Sequence, residues 1–162
     1  MRFDDLLASL GERLGVEIED AGGAAAMEVD GVPVILRDAG DILLLHAEVG
    51  EIPSDGRESI LAAAMEANWL YQGSGGGTLA VNPADGCLNL EKYTWLDRLD
   101  PEDALSMIER FVATVETWRK ILSDYHRAPP ASEPDKIPDL PYPPPGEFLQ
   151  ICLVCHSKYS YH

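Results

Sequence analysis

The sequence predicts an α+β fold, an antiparallel β-sheet packed with three α-helices in the order α-βββ-α-ββ-α. Three observations carry this reading. Apolar residues recur at helical spacing in two stretches, within Phe3–Glu17 and Leu96–Leu122, that bracket the middle of the chain. Between them lie apolar runs joined by Asp30-Gly31 and by Asn82-Pro83-Ala84-Asp85-Gly86, turn sequences of the kind that link antiparallel strands. A third helical stretch, Arg57–Tyr71, separates the first group of strands from the second.

Phe3, Leu6, Leu7, Leu10 and Leu14 form one helical stripe; Asp4 and Asp5 occupy the first turn, where the helix dipole favours negative charge, and Gly15 supplies a stop. Val16–Ile18 and Ala25–Val29 then read as strands. Asp30-Gly31 precedes the alternating Val32, Val34 and Leu36, a strong hairpin signal. Past a second turn at Asp38–Asp41, Ile42–Val49 is apolar on both faces, which predicts a central strand covered on each side. Pro53-Ser54-Asp55 ends that strand and opens the helix Arg57–Tyr71, with Gly73 behind it. This helix carries two apolar faces, Ile60, Ala63, Ala64, Ala67 and Tyr71 on one side and Leu61, Met65 and Trp69 on the other. A monomer's surface helix needs only one such stripe, so Leu61, Met65 and Trp69 are expected at a subunit contact, with the strand around Cys87–Trp95 beside them. Thr78–Val81 and Cys87–Leu96 read as a hairpin around Asn82–Gly86. The last helix begins at Asp100-Pro101, an N-cap followed by proline at the first helical position, and its stripe runs through Ala104, Ile108, Phe111, Val115, Trp118 and Leu122.

A chain of 162 residues fits one ordinary domain with an appendage. Residues 1–125 make the domain. Residues 126–147 read as a proline-rich linker, with eight prolines between Pro129 and Pro145, and residues 148–162 as a C-terminal apolar tail. The net charge is −16, of which −15 lies on residues 1–125, where 24 Asp and Glu oppose 9 Lys and Arg. Such a surface repels phosphate backbones and anionic lipid, which excludes nucleic acid and membrane surfaces and favours a basic or polar polypeptide as partner. The N-terminus has no basic leader followed by an uninterrupted apolar run, and no stretch approaches the ~20 apolar residues of a membrane span. A cytoplasmic protein with reduced thiols is expected, in keeping with an odd number of cysteines, three.

Candidate chemistry is sparse. Cys152-Leu153-Val154-Cys155-His156 has the C-x-x-C-H spacing of haem attachment, but that chemistry belongs to exported proteins and needs an apolar pocket around the haem. Zinc on Cys152, Cys155, His156 and His162 is chemically feasible, yet a lone C-x-x-C knuckle is a weak signal. Gly73-Ser74-Gly75-Gly76-Gly77 lacks the lysine of a phosphate loop and leads from helix to strand, the reverse of the order such loops require, so it reads as a flexible connection. His46 sits in an apolar strand, a setting more often structural than catalytic. No catalytic residue, metal or cofactor is expected, and residues 1–125 read as a binding protein.

The segments LLASLGERLGVE, VDGVPVILRD, DILLLHAEVG, AMEANWLYQGSGGGTLAVNP and LDPEDALSMIERFVATVETWRKIL together make the chain resemble the class I type III secretion chaperones, the Tir-chaperone (CesT-like) family, over about residues 1–125. The resemblance implies a cytoplasmic, non-enzymatic homodimer that binds the extended N-terminal segment of a secreted effector and keeps it competent for export. Leu7, Leu10, Val34, Leu36, Leu44 and His46 are the expected partner-binding residues, because apolar grooves and sheet edges suit an extended chain. The extension past the last helix departs from the family pattern. Within it, Phe148, Leu149, Ile151, Leu153 and Val154 are apolar enough to seek burial, and an apolar groove is their expected destination. Two other functions compete with this reading: a regulatory domain of similar fold that binds a folded protein, and a small metal-binding protein built on the C-terminal cysteines.

Overall fold

The structure, a computed structural model, describes residues 2–127. Its elements are α1 (Phe3–Leu14), β1 (Ala24–Val29), β2 (Val32–Asp38), β3 (Ile42–Glu51), α2 (Arg57–Asn68), β4 (Thr78–Val81), β5 (Cys87–Trp95) and α3 (Pro101–Arg127), with single 3-10 turns at Trp69–Tyr71 and Leu96–Arg98. The order is the predicted α-βββ-α-ββ-α. All five strands pair antiparallel in one sheet, arranged β1-β2-β3-β5-β4.

Turn chemistry sets the register. Asp30 and Gly31 both adopt positive φ, 51° and 77°, the backbone that matches the twist of two paired strands, and Val29 consequently lies opposite Val32. In the second hairpin Asn82 accepts from the Ala84 amide at 3.0 Å, and Asp85 accepts from the Cys87 amide at 2.9 Å. Leu79 is thereby placed opposite Leu90. Asp100 caps α3 by accepting from the amides of Glu102 and Asp103 at 2.9 and 2.8 Å.

The core lies on one face of the sheet. The face carries Val32, Val34 and Leu36 of β2, Leu43, Leu45 and Ala47 of β3, and Leu88 and Leu90 of β5, all buried. Above them run α3, which crosses β3 and β2, and α1, which packs on α3. The predicted α3 stripe is buried throughout, from Ala104 to Leu122, as are Phe3, Leu6, Leu7 and Leu10 of α1. Ile60 and Ala64 bring α2 into the same core.

Four expectations are corrected. Val16–Ile18 is not a strand: the chain folds back over the end of α1, where the Val16 amide donates to the Gly11 carbonyl at 3.0 Å. Gly11 permits this approach, since a Cβ there would lie 2.7 Å from the Val16 carbonyl oxygen. The second helix ends at Asn68, three residues early. Leu70 and Tyr71 take φ of 52° and 58°, so Tyr71 leaves the inward stripe and is exposed. The strand β3 is central but covered on one side only. Its second row, Ile42, Leu44 and His46, is half-exposed, because the helices all load the opposite face.

The glycine-rich stretch 73–77, lastly, is a tied loop rather than a flexible connection. Ser74 is buried and donates to the Gly77 carbonyl at 2.6 Å, Trp118 Nε1 donates to the Gly73 carbonyl at 3.0 Å, and Lys92 Nζ donates to the Gly75 carbonyl at 2.8 Å. A Cβ on Gly75 would collide with Thr114 Oγ1. Glycine is needed there for close approach to α3.

The two sides of the sheet should differ sharply in their tolerance of substitution. Phe111→Ala, which empties a buried site under the sheet, should cost ~3–5 kcal/mol in urea denaturation. Tyr93→Ala, on the other side, should stay within ~1 kcal/mol of the unsubstituted protein. Similar losses at both positions would contradict a one-sided core.

Candidate functional site: an open sheet face and two unequal edges

The uncovered face of the sheet is built by strand register. Trp95 pairs with Ile42 and Tyr93 with Leu44, across the central β3–β5 ladder. Tyr93 is 65% exposed and Trp95 46%. Ile35 of β2, opposite His46, extends the apolar area toward β1. Directly opposed cross-strand side chains lie within contact distance, so these residues form one surface. Its flanks carry both signs: exposed Arg37 of β2 lies opposite Leu44. Glu91 faces His46, with Nδ1 of His46 3.5 Å from Glu91 Oε1, and Glu48 lies one step further along β3.

The two edges of the sheet are treated differently. At β4, the Asn68 side chain at the end of α2 accepts from the Leu79 amide at 2.9 Å and donates to the Leu79 carbonyl at 3.0 Å. One side-chain amide thus takes the place of a neighbouring strand and closes that edge. At the other end, β1 (Ala-Ala-Ala-Met-Glu-Val) terminates the sheet. It has neither lysine nor proline, the residues that usually guard an edge against pairing. This strand is the open edge.

A second apolar surface lies on α2 and the turn after it. Met65 is 74% exposed, Trp69 54%, and Leu70 and Tyr71 are also exposed, while Leu61 is half-buried against the core. The positive φ of Leu70 and Tyr71 turns these side chains outward, and the Gly73 amide then donates to the Ala67 carbonyl at 3.1 Å to end the helix.

Among the partner-binding residues expected from sequence, Leu7, Leu10, Val34 and Leu36 are buried in the core and offer no surface. The single apolar stripe of α1 and the inward row of β2 are both consumed by packing. Leu44 and His46 remain half-exposed on the open face, beside Tyr93 and Trp95, which sequence reasoning assigned to the neighbourhood of the α2 contact. The signal for those two was the alternation of Tyr93 and Trp95 in β5, opposite the apolar second row of β3. Leu61, Met65 and Trp69 do share the outer side of α2. Phe148, Leu149, Ile151, Leu153 and Val154 lie outside the described residues, as do Cys152, Cys155 and His156.

Glu48, Asp85 and Cys87 bring one ligand atom each within 4.8 Å of one another. Desolvation, followed by the charges of Asp85 and Glu48, pushes the Cys87 thiol above its ordinary pKa. A cleft of about 210 Å³ lined by Arg2, Asp4, Asp38, Asp41 and Asp97 is polar and smaller than the usual small-molecule site. Among the described residues no helix is long and apolar enough to cross a membrane.

Comparison with known proteins agrees with this architecture. A chain of the HopA1–SchA chaperone–effector complex matches with 18% identity and a TM-score of 0.60, covering 73% of this chain and 93% of that one. A chain from the complex of the Yersinia pestis type III secretion chaperone SycH with a stable fragment of YscM2 matches with 21% identity and a TM-score of 0.60, covering 72% and 99%. A chain of the heterodimeric ExoU–SpcU complex of the Pseudomonas aeruginosa type III secretion system gives 16% identity, a TM-score of 0.61, and coverage of 76% and 99%. At these identities the likeness establishes the fold. No curated protein matches the sequence. The model of the Tir chaperone protein (CesT) family, however, matches residues 5–119, most of the chain, and the protein belongs to that family.

Proposed function

We propose that this protein is a cytoplasmic, non-enzymatic chaperone that binds an extended N-terminal segment of a type III secreted effector and keeps it unfolded for export. The observation that carries the reading is the sheet with one face left uncovered, in a member of a secretion-chaperone family. The open row Ile42, Leu44, Tyr93 and Trp95 supplies pockets for alternate side chains of an extended segment, and the unguarded β1 edge supplies main-chain hydrogen bonds. A net charge of −15 over residues 1–125 favours segments that also carry lysine or arginine, although Arg37 lies opposite Leu44 on the face itself. The matched chains come from a chaperone–effector complex (HopA1–SchA), from the complex of the chaperone SycH with a fragment of YscM2, and from the heterodimeric ExoU–SpcU complex.

Titration calorimetry with the N-terminal segment of an effector encoded beside this gene tests the assignment. The combined Tyr93→Asp and Trp95→Asp substitutions should weaken binding at least tenfold, about 1.4 kcal/mol, while far-UV circular dichroism stays unchanged. Binding that is unaffected by these substitutions would contradict the face assignment.

The same reading includes a homodimer. The outer side of α2, with Leu61, Met65 and Trp69, is the proposed contact, since burial of each such side chain favours association by ~1.5–3 kcal/mol. Light scattering at micromolar concentration should give close to twice the chain mass of 17.7 kDa, and Met65→Glu should return it to the mass of one chain. A monomeric unsubstituted protein, or a Met65→Glu protein that stays dimeric, would contradict the contact.

Asn68 sits between the two surfaces. Asn68→Ala leaves the Leu79 amide and carbonyl without their side-chain partner, at a cost of ~1–3 kcal/mol, and should speed hydrogen exchange at the Leu79 amide. Unchanged exchange there would show that the β4 edge is closed by other means.

A further inference from the structure

Where the backbone needs positive φ, this chain almost always places glycine. Among the described residues the exceptions are Asp30, in the β1–β2 hairpin, and the adjacent pair Leu70 and Tyr71, at φ of 52° and 58°. Asp30 has the short polar side chain that tolerates this region, whereas leucine and tyrosine are strained there. Such strain persists only where the surroundings enforce it. Both ends of the Asn68 side-chain amide are bonded to Leu79, and Trp118 Nε1 donates to the Gly73 carbonyl. The Gly73 amide donates to the Ala67 carbonyl at 3.1 Å, although six residues of continued helix would carry it ~9 Å along the axis. A Cβ on Gly73 would lie 2.7 Å from the Ala67 Cβ, so the return is as close as glycine permits. The chain therefore has to double back within residues 69–72, and the left-handed pair makes that turn.

Glycine at 70 or 71 would make the same turn without strain. What glycine would not supply is a side chain. Leu70 and Tyr71 are both exposed, so neither is spent on the core, and both continue the outer side of α2 beyond Leu61 and Met65.

We propose that Leu70 and Tyr71 are held in a strained backbone conformation that presents their side chains to a second copy of the chain, completing the subunit contact of α2. The proposal rests on the homodimer reading. Leu61, Met65, Leu70 and Tyr71 include no charged group, and a two-fold contact brings the same patch to both sides, so a copy of this surface matches its chemistry. The conformational cost is met within each folded chain before association, and the two side chains reach the contact already ordered. A trade-off follows: easing the backbone at these positions stabilises the isolated chain and weakens the dimer.

Leu70→Gly and Tyr71→Gly, each made in the full unsubstituted chain and in the full Met65→Glu chain, test both halves. In the Met65→Glu protein, monomeric if its urea midpoint is independent of concentration, each glycine should move the midpoint to higher urea. In the otherwise unsubstituted protein, each should raise the dimer dissociation constant by about tenfold or more in sedimentation velocity. Leu70→Met keeps both the strain and an apolar side chain, and should leave the midpoint in place and the dissociation constant within about threefold. A midpoint that falls with glycine shows that the pair is not strained, and an unchanged dissociation constant shows that it does not reach the partner; either result overturns the proposal while the dimer stands. An unsubstituted chain that sediments as one copy, or a Met65→Glu chain that stays dimeric, instead defeats the α2 contact on which the proposal rests.

Discussion

A five-stranded sheet has two faces to satisfy, and the hydrophobic stripes of this chain are committed to one of them. Ile108, Phe111 and Val115 of α3 lie among the buried residues that cover Leu36, Leu45 and Leu90, with α1 packed against α3. Because burial of apolar area is the dominant favourable term in folding, this arrangement fixes the orientation of every strand. A one-residue slip in any strand would move its apolar row to the uncovered side. The uncovered side is therefore a by-product of the core's geometry, and its residues are released from packing to serve a partner.

The edges follow from the same commitment. The α2 helix enters the core through Ile60 and Ala64, which brings its last residue, Asn68, to the β4 edge. The tied loop 73–77 then returns the chain to β4 under the control of Trp118 and Lys92, side chains supplied by α3 and β5. Closing one edge with a side-chain amide leaves β1 as the place where another strand can add. Together with the apolar row, this edge is what the proposed binding of an extended chain rests on.

Much of this was legible in the residues. The Asp30-Gly31 turn, the Asp100-Pro101 cap and the Val32, Val34, Leu36 alternation each act through local physics, and each led to the element observed. The face of Leu44 and His46 was harder to read, because Ile42-Leu43-Leu44-Leu45 is apolar in both phases of a period-2 pattern and both phases cannot be inward. Pairing with β2 decides it: Leu45 lies opposite Leu36, so Leu44 must point away from the helices. Leu7, Leu10, Val34 and Leu36 were misjudged as partner-facing for a related reason, since a helix or strand with a single apolar row has none to spare once a core forms. Asn68 and Ser74 carried no local signal at all. Their partners, Leu79 and Gly77, are set by how the chain turns after α2, and that turn depends on non-glycine residues at positive φ that no propensity scale favours.

The central claim, that the two rows of β3 serve different purposes, is most directly tested by methyl NMR of the protein titrated with an effector segment. The account predicts shifts at the methyl groups of Ile42, Leu44 and Ile35, with those of Leu43, Leu45 and Leu36 nearly unmoved. Perturbation centred on Leu43, Leu45 and Leu36, or confined to α1, would contradict it.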